Sequence, residues 1–272
     1  IRTASTDYAG RKTVRKAWSI MAGEHTVAEE RSYRRLAMMD GLVTFQVTVQ
    51  ETDLMVQASQ DLTAVCREEV LSQRSYIDHY IRRFPSFRTT LSPWQQDDPA
   101  PEIVRMMIAA GKQAGVGPMA AVAGAMAETV GQALQRHSRE VVVENGGDIF
   151  LAVKGIVTIG LFAGASPLSM RIGLQLEPGP APLAVCTSSG TVGHSLSRGR
   201  ADAVCIVARQ CALADAAATA VANRVSAGDA IPEAIQLARS IEGVEGVAAV
   251  CGEKVGLWGN LRIVRLDKGK KA

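Results

Sequence analysis

The chain has 272 residues, of which 47% are hydrophobic, so it can bury a substantial core as one large domain or two small ones. Its net charge of +3 reflects nearly balanced acids and bases, and only 4% of its residues are aromatic. Balanced charge and the lack of an aromatic stacking platform argue against nucleic acid as a partner. The longest apolar runs are interrupted and shorter than about 20 residues, so we expect no membrane span and no signal peptide.

The five cysteines are odd in number and form no C-x-x-C pair. Most of them stand in apolar segments. This usage predicts buried, reduced thiols in a cytoplasmic protein rather than a zinc site or a disulfide framework.

The first sixty residues divide into a polar beginning and a hairpin. Residues 1–31 are basic with weak periodicity, and we expect a partly irregular extension there. A short helix or strand follows at 32–39. Apolar and polar residues then alternate over 42–49 and again over 54–58, which predicts a hairpin with its turn at 51–53.

Helical periodicity begins after this hairpin. Asp61 suits an N-cap, and Pro85 marks the end of the first helix. The segment between Pro85 and Pro101 is predicted to be a loop, either a lid or a simple connection. Pro101 starts a second helix that Gly111 or Gly115 closes.

An Ala-rich helix is predicted from Met119 to His137, and Gly124 gives it a smooth face that lets another backbone or a flat ligand come close. A hairpin follows, with its link at 144–148. Further strands are predicted at 156–163, 170–177, 183–187, 203–209, 247–251 and 260–266, with helices at 212–226 and 232–240. Strands joined by short turns, with helices inserted, favour an α+β fold with mixed, mainly antiparallel sheets.

Asp215 and Thr219 are four positions apart, which places both oxygen-bearing side chains on one face of a helix. Such ligands suit Mg2+, because phosphates and waters complete its coordination. The alternative is structural: Asp215 would favour a helix N-terminus, and Thr219 would be an ordinary polar residue.

Three other groups are candidates for the same site. Thr187, Ser188, Ser189 and Gly190 would offer hydroxyls and N–H groups to an anion, or they form only a turn. Glu128 is either a surface group or, if it turns inward, a partner for a ribose hydroxyl or the metal. The segment Asn145, Gly146, Gly147 and Asp148 is either a plain hairpin turn or a ligand contact.

Four segments in this order resemble the ApbE superfamily, whose characterised members are FAD:protein FMN transferases: 117–130, 141–153, 184–190 and 204–221. Within it the chain is most similar to an uncharacterised ApbE-related family. The resemblance implies an ApbE-like, T-fold-like single domain over 32–266. Residues 267–272 would then be a basic tail.

The resemblance also implies a site. In the transferases, the Asp and Thr side chains of an A-D-A-x-x-T-A helix bind Mg2+ together with the backbone carbonyl of an Ala. The corresponding residues here are Asp215, Thr219 and, for the carbonyl, Ala120. The flavin would lie near the segments 145–148 and 187–190.

This sequence also differs from the transferases in parts that handle the substrate there. Ala121 stands where the transferases have Lys, and the segment that follows the T-S-G motif is shortened. His194 would stand in for its His. Transfer would proceed by attack of an acceptor hydroxyl on the flavin-side phosphorus of FAD with release of AMP, and His194, Asp148 or Glu128 would be the general base.

Three functions follow from these observations. The first is Mg2+-dependent transfer of FMN from FAD to an acceptor flavoprotein. The second is flavin or nucleotide binding without chemistry, and the third is a structural role with a relic site. The sequence also leaves open whether the chain forms a homo-oligomer.

Overall fold

The structure is a computed structural model, which describes residues 17–20, 39, 41–96, 98–189 and 199–266. The strands, numbered in chain order, are β1 Ala17–Ile20, β2 Val43–Val49, β3 Thr52–Ala58, β4 Val141–Asn145, β5 Asp148–Ala152, β6 Val157–Leu161, β7 Ile172–Leu176, β8 Leu183–Ser188, β9 Ala203–Ala208, β10 Val244–Cys251, β11 Lys254–Gly259 and β12 Arg262–Arg265. The helices are α1 Thr63–Arg83, α2 Glu102–Ala114, α3 Val122–Leu134, α4 Cys211–Ala222 and α5 Ile231–Ser240.

Two sheets organise these elements. The larger has eight strands in the order β11-β10-β9-β8-β5-β4-β3-β2, and every neighbouring pair is antiparallel. The smaller has the order β1-β6-β7-β12, in which only β1 and β6 run parallel. This is the predicted α+β architecture with mainly antiparallel sheets.

The side chains of the central strands alternate between two cores, one on each face of the large sheet. In β4 and β5, Val143 and Phe150 belong to the core beneath the helices. Their neighbours Val142, Ile149 and Leu151 belong to a second core, which also contains apolar side chains of β6 and β7. Because successive side chains point to opposite faces, the large sheet carries helices on one face and the small sheet on the other.

The predicted hairpins and helices are confirmed with shifted boundaries. The turn between β2 and β3 is Gln50-Glu51, so Thr52 and Asp53 are in β3 rather than in the turn. Leu62, not Asp61, is the N-cap of α1, although the Asp61 carboxylate accepts hydrogen bonds from Thr63.

Two further differences concern the chain ends. β11 was not predicted, and it forms one edge of the large sheet. Residues 17–20, expected in an irregular extension, form β1 beside β6. The predicted element at 32–39, apart from Met39, and the basic tail at 267–272 lie outside the described residues.

All five cysteines are free, and four of them are buried. In the part of the chain that the structure describes, no helix combines the length and apolar character needed to cross a bilayer.

Candidate functional site

The open face of α4 consists of the two residues expected to hold a metal. Ten of the twelve residues of α4 are buried. The two others, Asp215 and Thr219, are partly exposed. Their spacing of four places them on the same side of the helix, one turn apart. The helix is therefore embedded in the core except along the strip that carries these two oxygen donors.

The Asp215 carboxylate is hydrogen-bonded to the beginning of α3. Its Oδ2 accepts a hydrogen bond from the Gly124 N–H at 2.9 Å, and the Ala123 N–H is a second donor. Burial raises the pKa of Asp215 to about 7, and these two N–H groups oppose the rise. Since α3 has no capping side chain of its own, Asp215 supplies acceptors that its first turn lacks.

A close approach of α3 and α4 makes this contact possible. A Cβ placed on Gly124 would lie 2.3 Å from the Cys211 carbonyl oxygen and 2.8 Å from the Asp215 Cβ. Only glycine fits at that distance. The sequence predicted a smooth face at Gly124, and the structure shows that another backbone, that of α4, approaches it.

Glu128 makes the reverse contact, from α3 to the beginning of α4. Its Oε2 accepts hydrogen bonds from the Cys211 N–H at 2.7 Å and the Ala212 N–H at 3.2 Å. Burial raises the pKa of Glu128, and those two hydrogen bonds oppose the rise. The two helices thus cap each other, and one carboxylate oxygen of Glu128 is committed to a structural role.

The hairpin between β4 and β5 brings two more predicted residues to this place. Gly146 and Gly147 have φ of 63° and 111°, which the two-residue turn requires. Asn145 and Asp148 are paired across this turn and share a face of the sheet. The Asn145 side chain donates a hydrogen bond to the Ala123 carbonyl at 3.0 Å.

Asp148 is a third acid of the site whose pKa is raised. Burial and the nearby Asp215 carboxylate hold its pKa well above the usual range, with a smaller contribution from Glu144, and hydrogen bonds to Cys186 and Thr187 act in the opposite direction. Its Oδ1 is buried without a hydrogen-bond partner. A buried acceptor of this kind is costly unless a proton, water or ligand satisfies it.

The hydroxyl segment, Thr187 to Ser189, differs from the expected turn. Thr187 and Ser188 end strand β8, and the Thr187 hydroxyl donates to the Cys205 sulfur, in the core on the small-sheet side. Ser188 therefore faces the helices, and its Oγ is buried without a partner. The Ser189 hydroxyl contacts the Ala201 carbonyl at 3.4 Å.

The expected anion nest is thus partly wrong, because the Thr187 hydroxyl points away from α4. Of the described hydroxyls in this segment, that of Ser188 faces the helices, as the predicted anion site requires. Gly190 and His194 lie outside the described residues.

Ala120 lies in a short 3-10 turn, Pro118–Ala121, that leads into α3. It is partly exposed, whereas Ala121, where the resemblance implies a Lys in the transferases, is fully buried. The described residues contain no group of three or more His, Cys, Asp or Glu side chains arranged to hold a metal. A cation at Asp215 would therefore need backbone carbonyls, phosphate oxygens or waters, as Mg2+ commonly does.

A cavity of about 410 Å³ lies beside these residues, and no local sequence pattern indicates it. Ala123 and Asn145, which are hydrogen-bonded to each other, are among the residues that line it. The turn between β2 and β3 and Arg74 of α1 also line it. The candidate cation site and the cavity therefore share one boundary.

Comparison with known proteins shows the family to which this chain is similar. The family described as AbpE bacteria matches residues 35–252. A UPF0280 protein from Methanococcus aeolicus is 38% identical over 230 residues, covering 82% of this chain and 93% of the relative. A UPF0280 protein from Methanocaldococcus jannaschii is 40% identical over the same length, with the same coverage.

Solved structures share the fold at low identity. The apo form of the flavinyl transferase ApbE from Pseudomonas stutzeri matches with a TM-score of 0.55 and 13% identity, covering 80% of this chain and 94% of the other. A variant of the flavin transferase ApbE from Vibrio cholerae matches with a TM-score of 0.50 and 12% identity, covering 80% and 96%.

Proposed function

Because the chain belongs to the AbpE bacteria family, we propose that it binds a flavin dinucleotide with Mg2+ and transfers FMN from FAD to an acceptor hydroxyl, releasing AMP. The observation that carries this proposal is the open strip of α4, where Asp215 and Thr219 are the partly exposed residues of an otherwise buried helix. Flavin transferases named ApbE share the fold, which supports the choice of ligand.

The donors present suit a hard cation. The Asp215 carboxylate, the Thr219 hydroxyl and the Ala120 carbonyl are the groups that would hold it. When bound, Mg2+ would neutralise the pyrophosphate and make its phosphorus more electrophilic. The Gly146 N–H of the hairpin turn would bind a phosphate oxygen, whereas the Gly147 N–H already donates to the Glu144 carboxylate.

Asp148 is the described residue best placed to accept the proton of the attacking hydroxyl. Its Oδ1 has no hydrogen-bond partner, whereas Glu128 is engaged at the beginning of α4. Burial is the main cause of the raised pKa of Asp148 and the Asp215 charge the second, so a cation that neutralises Asp215 would lower this pKa in part. The acceptor oxygen would bond to the flavin-side phosphorus as the bond to AMP breaks.

A second candidate is binding of the same ligand without transfer. Two observations favour it. Ala121 replaces the cationic residue of the transferases and is fully buried. In addition, the Asp215 carboxylate already accepts hydrogen bonds from α3, which lowers its capacity for a metal.

Incubation of the purified protein with FAD, Mg2+ and an acceptor peptide that carries a threonine hydroxyl separates the two functions. If the protein catalyses transfer, AMP is released and the peptide is modified with flavin, and Asp215→Asn loses both products. Asp229→Asn is the control, because it makes the same substitution at an exposed aspartate, and it should retain both products. FAD binding without AMP release would select the binding function. Failure to bind FAD would reject both.

A further inference from the structure

Strand β11 is an edge of the large sheet that carries exposed apolar side chains. It pairs with β10 on one side, and among the described strands none lies on its other side. Val255 is 42% exposed and Leu257 is 41% exposed. Both point to the face of the sheet opposite α5, because a Cβ on Gly256 between them would meet Ile231 and Ile235 of that helix. The edge therefore carries an apolar strip beside its outward backbone groups.

The other edge of the large sheet, β2, has a different character. Its apolar side chains are buried in the core beneath the helices. On the opposite face, the one that carries Val255 and Leu257 in β11, the exposed side chains of β2 are the polar Gln46 and Thr48. Free edges are commonly protected by charges, proline or a bulge, whereas β11 has one lysine at its beginning and no proline. Of the two edges, β11 is therefore the one that fits an apolar partner.

The hairpin of β10 and β11 decides which backbone groups of the edge point outward. Cys251 and Lys254 flank its two-residue turn and are paired with each other. In such a hairpin the flanking residues exchange hydrogen bonds, and hydrogen-bonded and non-hydrogen-bonded pairs then alternate along the strands. The N–H and C=O groups of Lys254 and Gly256 therefore bond to β10. Those of Val255 and Leu257 point away from the sheet.

A second copy of β11, running antiparallel to the first, matches both features. With a two-fold axis at Gly256, Val255 lies opposite Leu257 of the partner subunit, and the reverse pair forms on the other side of the axis. The outward N–H and C=O groups of these residues then bond to each other, and the exposed side chains form two apolar pairs. In registers shifted by two residues, one of the two apolar residues faces Gly259 or Glu253 instead. The strand is therefore self-complementary in one register.

The same register brings a cation to an aromatic ring. Lys254 lies opposite Trp258 of the partner subunit, on the face of the sheet that packs against α5. The Trp258 ring is partly exposed and already attracts one cation, since the Arg239 guanidinium lies 5.6 Å from its centroid. The aliphatic stem of the lysine would cover the exposed part of the ring. The lysine at the free edge would thus become a contact.

We propose that β11 is a homodimer interface, in which two copies of the chain pair their β11 strands about a two-fold axis at Gly256 and join their large sheets into one. Because both copies use the same strand, the assembly closes, and the polar β2 edges lie at its two ends. Two paired strands of six residues form a small interface, so we expect a dissociation constant of about 10 µM. The inference does not depend on the proposed ligand.

Sedimentation velocity of the full chain between about 1 and about 200 µM brackets the expected dissociation constant. Leu257→Lys places a charge opposite an apolar side chain and should raise this constant at least about tenfold. Leu71→Lys is the matched control, because it makes the same substitution at an exposed leucine of α1, and it should change the constant by less than about twofold. Melting curves confirm that each variant is folded.

An exchange of charges tests the register. Val255→Lys alone and Leu257→Glu alone should each weaken the dimer at least about tenfold. The double variant places each new lysine opposite a new glutamate of the partner subunit, so it should dimerise at least about threefold more tightly than either single variant. In the shifted registers like charges would meet, and the double variant would not recover.

Hydrogen exchange locates the contact in the wild type. The amides of Val255 and Leu257 should exchange more slowly in the concentrated sample than in the dilute one, whereas those of β2 should not change. A monomer at every concentration would overturn the proposal, as would a dimer that Leu257→Lys leaves intact. A folded double variant no tighter than the single ones, or assemblies that grow beyond a dimer, would also overturn it.

Discussion

The mutual capping of α3 and α4 predicts that Glu128 contributes to stability rather than to proton transfer. Glu128→Ala would remove the acceptor from the Cys211 and Ala212 N–H groups, both in the buried first turn of α4. Neither would find a replacement, because α4 has no capping side chain of its own. Two buried donors would then lack partners.

The expected cost follows from these contacts. Loss of an N-cap costs about 0.5–2 kcal/mol, and hydrogen bonds to a charged group contribute about 1.5–3 kcal/mol each. Burial raises the pKa of Glu128, which shows that desolvation offsets part of that gain. We therefore expect the free energy of unfolding to fall by about 2–3 kcal/mol, which corresponds to a Tm about 5–10 °C lower. Glu128→Gln keeps an acceptor and should lose about half as much.

Urea denaturation followed by circular dichroism measures this change, with Glu68→Ala as the control. Glu68 is exposed on α1, so its replacement should change stability by less than about 0.5 kcal/mol. If Glu128→Ala unfolds at the same urea concentration as the wild type, the capping argument is wrong. If it also loses all AMP release while remaining folded, Glu128 acts in the chemistry.

Two further predictions concern the same helix pair. Gly124→Ala should destabilise the fold by about 2 kcal/mol or more, because its Cβ would meet the Cys211 carbonyl, and an unchanged urea midpoint would refute the close contact. Because the pKa of Asp215 rises from about 3.9 in the unfolded chain to about 7 in the folded one, its contribution to stability is full below pH 4 and is lost as pH rises through 7. In metal-free buffer the Tm should therefore fall less between pH 5 and pH 8 in Asp215→Asn than in the wild type, and an equal fall would contradict this assignment.

Local patterns were enough to predict most of the elements. Alternation located β2 and helical periodicity located α1, because each of these segments buries one face. The hairpin of β4 and β5 was located by its two apolar arms around adjacent glycines, and α2 and α3 by Pro101, by glycines and by an Ala-rich run. β11 escaped prediction because its exposed valine and leucine alternate with glycine and tryptophan instead of polar residues. Such an edge strand lacks the alternation of apolar and polar residues by which a strand is recognised.

The site depended on contacts that no local pattern encodes. The spacing of Asp215 and Thr219 predicted a shared face, and the structure places both on the open strip of α4. Nothing in the sequence near Asp215 indicates that it caps a helix 91 residues away. The same holds for Arg74, whose partners at the β2–β3 turn lie 22 to 24 residues earlier.

The hydroxyl segment shows a different limit. A run of Thr, Ser, Ser and Gly is typical of a turn, yet Thr187 and Ser188 continue β8 because both pair with β9. Once a segment is a strand, alternation sends successive hydroxyls to opposite faces. That geometry separates Thr187 from the candidate site.

The Mg2+ dependence of FAD binding tests the central claim most directly. Calorimetric titrations of the wild type in Mg2+ and in EDTA should differ in affinity by at least about tenfold, equivalent to about 1.4 kcal/mol. Asp215→Ala and Thr219→Val should bind FAD with the same affinity in both buffers. Equal affinity of the wild type in Mg2+ and in EDTA would contradict the assignment of these two side chains to a cation that holds the pyrophosphate.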